Sequence, residues 1–280
     1  MSRRSPLRYP GGKSSLTPYI KSIVAELGVS SYYELYAGGA GIALELLLSD
    51  DVDNIVLNDA DPHIFAFWNT VLTHSESLIA MIEETPVNVD TWRQQREVYF
   101  SSDGHSSIEV AFATFYLNRC NRSGIITKAG PIGGLDQKGK YKIDCRFNKQ
   151  ELIKRICNIA QRANRIELHN EDTLKFIKEN LSRLADKSVF MYLDPPYYEK
   201  GKVLYLNYYK YDDHKQLRNL LEENRALQWL VSYDNVDEIR ELYSEFYTEE
   251  HSIRYSLQDK RSAMELFIYS DTVSRNITKQ

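Results

Sequence analysis

Short apolar runs that stop at a polar turn recur along this chain, and a helical stretch follows most of them. Ser31 to Tyr36 reads as a strand. It enters Ala37-Gly38-Gly39-Ala40-Gly41 and then an apolar helical stretch, Ile42 to Leu48. Asn54 to Leu57 is a second strand and ends at Asn58-Asp59. Arg165 to Leu168, Ser188 to Leu193 and Gln228 to Tyr233 read as strands too, and 245–248 and 265–269 are strand-like. Helical spacing is found at 16–27, 152–163, 173–184 and 214–224. Strands alternating with helices predict an α/β chain with an open, mostly parallel sheet.

Residues 63–118 break the alternation. Phe65, Phe67-Trp68, Val71-Leu72, Leu78, Met81-Ile82 and the run Val110 to Leu117 read as helices. Residues 119–149 are Gly-rich, basic and without period. The predicted plan is one αβ domain made of 1–62 and 151–280, interrupted by an insertion at 63–150. A chain of 280 residues is long enough for that.

Composition narrows the class. Hydrophobic residues are 42% and charged residues 26%, ordinary for a globular protein. No apolar run approaches the ~18 residues of a membrane span. The first residues carry charge with no apolar core behind them, which argues against a secretory signal. The 3 cysteines lack CxxC spacing, so neither a disulfide framework nor a zinc site is expected, and a cytoplasmic setting is. The 6 histidines are scattered, so no metal is expected. His63 and His214 fall on predicted helices and are expected at the surface.

The net charge is −4, but its distribution is uneven. Residues 1–22 hold Arg3, Arg4, Arg8, Lys13 and Lys21 with no acid. Residues 119–149 hold Arg119, Arg122, Lys128, Lys138, Lys140, Lys142, Arg146 and Lys149 against Asp136 and Asp144. Basic patches on an acidic chain suit contact with a polyanion through one face. A solvated loop with incidental charge fits the counts equally well.

Three motifs carry chemistry. Tyr36-Ala37-Gly38-Gly39-Ala40-Gly41 lets backbone approach a ligand closely, although an ordinary tight turn needs the same residues. It is neither GxGxxG nor a P-loop. Asp59, 18 residues after Gly41, sits near the spacing at which a βαβ unit offers a carboxylate to a ribose. Asp194-Pro195-Pro196-Tyr197 lies at the carboxyl end of the strand 188–193, the edge where open αβ sheets bind ligands. Two prolines give a rigid loop with free carbonyls. The Asp194 carboxylate can accept one N–H of an exocyclic amine and the Pro195 carbonyl the other, which turns the nitrogen lone pair outward. Tyr197 can stack on the base. The third motif, Arg8-Tyr9-Pro10-Gly11-Gly12-Lys13, can hold a carboxylate with backbone N–H groups, a helix terminus and Lys13.

In order, these segments resemble the Dam-type DNA adenine-N6 methyltransferases over nearly the whole chain. The resemblance implies a Rossmann-like methyltransferase sheet with an inserted, mainly helical target-recognition domain. It implies S-adenosylmethionine as cofactor and double-stranded DNA as partner, with adenine flipped out for methylation. By position it places Tyr9, Lys13, Glu34, Tyr36, Ala37, Gly38, Gly39, Asp59, Asp172 and Asp194 at the cofactor. It gives the target base to Asp194, Pro195, Pro196 and Tyr197. DNA contact falls to Arg8, Asn118, Arg119, Arg122, Ser123, Gly124, Thr127, Lys128, Lys140 and Lys142. Ser232-Tyr233-Asp234-Asn235 resembles a further pocket-lining motif. The implied setting is prokaryotic or phage, compatible with restriction–modification, as a monomer or weak dimer.

Two departures stand out. Ala40 replaces a common glycine and is tolerated only where φ is not positive. Thr127 stands where GATC-specific members carry an arginine, and threonine cannot make the bidentate contact to guanine. That counts against GATC. An RNA adenine methyltransferase and a non-catalytic DNA-binding regulator are the rival readings, and intact Lys13, Asp59 and Asp194 speak against the second.

Overall fold

The central strands are largely apolar and are buried at nearly every position. The computed structural model describes residues 4–8, 12–198, 209–254 and 262–277. Its strands are β1 (Ser31–Glu34), β2 (Asn54–Asn58), β3 (Ile166–His169), β4 (Val189–Leu193), β5 (Trp229–Asp234), β6 (Tyr247–Arg254) and β7 (Ser262–Tyr269). They form one seven-stranded sheet in the order β3-β2-β1-β4-β5-β7-β6. β1 pairs in parallel with β2 and β4, and β4 with β5. β7 runs antiparallel to both β5 and β6. The α/β sheet expected from the alternation is therefore present.

Among the described residues the α-helices are α1 (Thr17–Leu27), α2 (Gly41–Leu48), α3 (Pro62–Thr73), α4 (Ser75–Glu84), α5 (Val89–Phe100), α6 (Ser107–Cys120), α7 (Lys149–Ala160), α8 (Thr173–Glu179), α9 (Leu181–Leu184), α10 (Tyr211–Glu223), α11 (Asp237–Leu242) and α12 (Asp271–Ile277). The single helix expected over 173–184 is two, because Asn180 interrupts it at φ −114°.

The chain forms two compact units. One takes 1–12 and 61–168, the other 13–60 and 169–280. The sequence-based boundary, 1–62 with 151–280 around an insertion at 63–150, divides the chain differently. Residues 4–8 and α7 belong with the helices of the insertion. The reason is local. The Arg155 guanidinium on α7 donates to Ser5 O at 3.1 Å. Asn118 on α6 grips the backbone of Arg8, accepting from its N–H at 2.7 Å and donating to its carbonyl at 3.1 Å.

In the sheet unit, β4 is buried at every position. Strands covered on both faces read as continuous apolar runs, as Val189 to Leu193 does. Tyr33, Met191, Leu193, Trp229, Val231 and Ile268 share a core with Phe176 of α8 and Leu217 and Leu221 of α10. The helical unit is built around α6, whose residues from Val110 to Cys120 are all buried. A helix apolar on every side belongs in a core. Phe67 stacks on Phe115 at 5.8 Å, and Phe147 meets Phe115 edge-on at 5.4 Å. The capping box of Ser106 and Glu109 starts α6.

Candidate active site

The sheet unit gathers acids at the carboxyl ends of its parallel strands. At the end of β1, Glu34 is buried, and its Oε2 accepts from the Ala43 N–H in the first turn of α2 at 2.9 Å. Burial pushes the Glu34 carboxyl up to about 8 against that hydrogen bond, and the Asp194 charge adds to the rise. Glu34 thus ties the Gly-rich turn to its helix. Within the turn, Gly38 N–H donates to Asp59 Oδ2 at 2.7 Å. The acid after β2 is therefore fixed by the turn after β1. Asn58, which the sequence did not single out, joins this edge together. Its carboxamide donates to Leu35 O and Glu171 O at 3.2 and 3.0 Å and accepts from Glu171 N–H at 3.0 Å. Asp172 is exposed and caps α8 by accepting from Lys175 N–H at 3.0 Å.

Ala37 and Gly39 are buried in the turn, and Tyr36 is half-buried with its hydroxyl 2.7 Å from that of Tyr209. Ala40 has φ +47° and ψ +37°. This is the left-handed region, the condition under which alanine is strained. The condition on which alanine would be tolerated is therefore not met, and the turn keeps the glycine geometry without the glycine.

The end of β4 is a charge cluster. Asp194, 20% exposed at its side chain, receives the Lys13 ammonium at 3.0 Å on Oδ1. The same oxygen accepts from Ser232 Oγ at 3.0 Å, and Ser232 shares a 2.7 Å hydrogen bond with the Tyr192 hydroxyl. Among the described residues no hydrogen bond falls on Oδ2. Lys13 is buried and also donates to Glu265 Oε1 at 2.9 Å and to the Tyr197 hydroxyl. Its ammonium lies 4.5 Å from the centre of the Tyr197 ring. Tyr197 in turn donates to Glu265. Burial pushes both Asp194 and Glu265 upward, and Lys13 opposes the rise in each. Pro195 is buried and Pro196 half-buried. Tyr198 N–H donates to Asp234 Oδ1 at 3.0 Å, which fixes the loop beyond Tyr197.

Lys13 was expected beside the carboxylate of a bound ligand. Its ammonium meets Asp194, Glu265 and Tyr197. Tyr9 lies outside the described residues. His214, expected at the surface, has 0% exposure. Its Nδ1 lies 2.9 Å from the Tyr233 hydroxyl, and burial lowers its pKa to about 4. His63 is half-buried and stacks on Tyr99 at 4.0 Å.

The helical unit carries the basic loop. Three residues assigned to DNA, Asn118, Arg119 and Gly124, are buried within the unit. Asn118 has 0% exposure, and its carboxamide is occupied by Arg8 and by Gly124 O at 3.0 Å. Arg119 is buried and donates from Nε to Arg146 O at 2.8 Å, with burial lowering it to about 9. Gly124 is internal too, with φ +76°, and a Cβ there would lie 2.0 Å from Arg8 O. Only glycine fits. Asn121, not anticipated, wraps the loop by donating to Ile125 O and Ile126 O and accepting from Trp92 Nε1 at 2.6 Å. Arg122, Lys128, Lys140 and Lys142 are exposed, while Arg8, Ser123 and Thr127 are half-buried.

Residues 9–258 match the family described as D12 class N6 adenine-specific DNA methyltransferase. The Type II methyltransferase M.MjaIII of Methanocaldococcus jannaschii is 24% identical over 86% of this chain and 88% of its own. The rRNA methyltransferase aviRa of Streptomyces viridochromogenes superposes with a TM-score of 0.44 at 14% identity, over 95% of this chain and 88% of that one.

Proposed function

The chain belongs to the D12 class N6 adenine-specific DNA methyltransferase family, and on that premise we propose that it methylates a specific site in duplex DNA, with S-adenosylmethionine as donor and Asp194 holding the flipped adenine. The single observation that carries the proposal is the divided Asp194 carboxylate. Oδ1 is held by Lys13 and Ser232, and Oδ2 remains for a further donor.

An adenine N6 presents two such donors. One N–H meets Asp194 Oδ2 and the other the Pro195 carbonyl. With both hydrogens held, the lone pair projects away from the ring plane toward an electrophile. Tyr197, held at its hydroxyl by Lys13, stacks on the base through its ring face. N6 must leave the duplex for this, since the stack blocks access to it. The carboxylates Asp59 and Asp172 follow adjacent strands, and Asp59 is already oriented by Gly38. Acceptors of this kind suit a ligand rich in hydroxyl and amine donors and carrying positive charge. Bound there, S-adenosylmethionine supplies a methyl group already activated on a cationic sulfur. The chain's own work is then position and electrostatics. Transfer would break the sulfur–methyl bond, its electron pair staying on sulfur as a neutral thioether, as the N6–methyl bond forms; the positive charge passes to N6, and loss of a proton to water restores the neutral amine.

The exposed Arg122, Lys128, Lys140 and Lys142 fit phosphate contact, and Thr127 fits a recognition sequence other than GATC. The similarity to a Type II methyltransferase is consistent with a restriction–modification setting. Among the described residues no helix is long and apolar enough to cross a membrane, and no side-chain cluster could hold a metal.

The test uses tritiated S-adenosylmethionine and unmethylated duplex DNA, digested to nucleosides. Labelled N6-methyladenine is expected, with a loss of about 10²–10³-fold in Asp194→Ala. Undiminished label in Asp194→Ala would remove Asp194 from the chemistry. Label on RNA in preference to duplex DNA would move the substrate.

A further inference from the structure

Glu265 takes no part in that reading, yet it is built into the same cluster. It sits on β7 opposite Asp234 of β5 and is 1% exposed. β7 is antiparallel, so its early residues arrive at the edge where the parallel strands end. A carboxylate removed from water is costly unless paired. Its partner here is Lys13, which already neutralises Asp194. Lys13 therefore serves two acids. Neutralising Asp194 alone needs no second acid.

The geometry explains the second acid. Glu265 Oε1 accepts from Lys13 at 2.9 Å and from the Tyr197 hydroxyl, while Lys13 also donates to Tyr197. These three groups close a ring of hydrogen bonds. The ring fixes the far end of Tyr197, and with it the plane of the aromatic face. It also fixes Lys13, which meets Asp194 Oδ1 at 3.0 Å. We propose that Glu265 is a positioning residue for methyl transfer, acting through Lys13 and Tyr197 to set both the Asp194 carboxylate and the Tyr197 ring. It also supplies a negative charge that favours the positive charge developing on N6. The inference rests on the Asp194 loop being the methyl-transfer site.

Glu265→Gln separates charge from shape, because the glutamine carbonyl can still accept from Lys13 and Tyr197. The measurement is single-turnover methylation with both substrates saturating, as a function of pH, together with KM for each. Asp194 is faced by Lys13, by Tyr32 and Glu34 of β1, by Tyr192 of β4, by Tyr197 and by Glu265 of β7. Removing the Glu265 charge leaves Lys13 acting on Asp194 alone. The expected result is an acid limb moved to lower pH, a rate lowered about tenfold with KM unchanged, and about 100-fold in Glu265→Ala, where the ring is broken. A wild-type rate and wild-type acid limb in Glu265→Gln would overturn the proposal. So would a loss shared equally between rate, both KM values and melting temperature, since that is what a purely structural acid gives. Asp194→Ala is run alongside. Its full activity removes the site that Glu265 would serve, whereas its inactivity beside a normal Glu265→Gln defeats the positioning role alone.

Discussion

The sheet unit and the helical unit both concentrate charge, and they handle it in opposite ways. In the sheet unit Glu34, Lys13 and Glu265 are buried and Asp194 is largely covered, each meeting a named partner at hydrogen-bond distance. In the helical unit Arg122, Lys128, Lys140 and Lys142 stand in solvent, while Arg119 is drawn inside onto a carbonyl. Buried charge is costly to disturb and holds a geometry. Exposed charge adds little to stability and acts at range through a salt-screened field. The first kind suits a reacting centre, the second a polyanion surface.

Lys13→Met breaks the comparison most severely. It leaves two covered carboxylates without their cation, and a loss of about 3 kcal/mol in urea unfolding is expected. The sign with pH follows. Burial without Lys13 raises Asp194 and Glu265 further above their unfolded values, so the folded state binds more protons than the unfolded one. Stability in Lys13→Met then falls as pH rises from the ordinary carboxylate range through the raised values. A flat pH profile would mean that the cluster is not what Lys13 holds.

Asn118→Ala tests the helical unit's interior. Three hydrogen bonds to Arg8 and Gly124 are lost, at about 2 kcal/mol. If Asn118 contacted DNA instead, its removal would weaken DNA binding and leave the melting temperature alone.

Which residues the sequence revealed depends on how local their reasons are. The strand–turn–helix at 31–48 and the placement of Asp194 at a strand end follow from period and turn chemistry over a few neighbours. Glu265 follows from nothing nearby. It is one acid in an apolar strand, 252 positions from Lys13, and only the antiparallel return of β7 brings the two together. Asn58 is the same case, an amide within a strand whose partners lie after β1 and β3. Asn118 and Arg119 were legible as a motif but their burial was not, since a basic, Asn-rich run reads alike whether it faces solvent or carbonyls. His214 was misplaced because a polar residue on an amphipathic helix defaults to the surface, while here Tyr209 and Tyr233 enclose it at 5.4 Å.

Ala40 sharpens the contrast within the sheet unit itself. The acids there are relaxed by partners, and the turn beside them is strained at φ +47°. Ala40→Gly removes a Cβ from the left-handed region, so a gain of about 1 kcal/mol is expected, less the extra freedom given to the unfolded chain. Calorimetry decides it. A lower melting temperature in Ala40→Gly would show that the turn does not store this strain. A higher one with slower methylation would show that the strain holds the turn in its working shape.

The smallest effect on folding is expected where the exposed charge lies. Lys140→Ala with Lys142→Ala removes two cations from the solvent side of the basic loop. Lys142 gives up only a 2.6 Å hydrogen bond to Gln137 O, and the cost to stability should stay within about 0.5 kcal/mol. DNA affinity should respond far more. Each lost phosphate contact lowers the slope of log affinity against log salt by about 0.9 on duplex DNA. The double variant should therefore bind more weakly at low salt and converge on the wild type as salt rises, with no change in which sequence is methylated. A slope that does not move would take the phosphate surface away from these two lysines and leave it to Arg122 and Lys128. A changed site preference would mean that these lysines reach base edges, and that exposure in the helical unit supplies specificity as well as attraction.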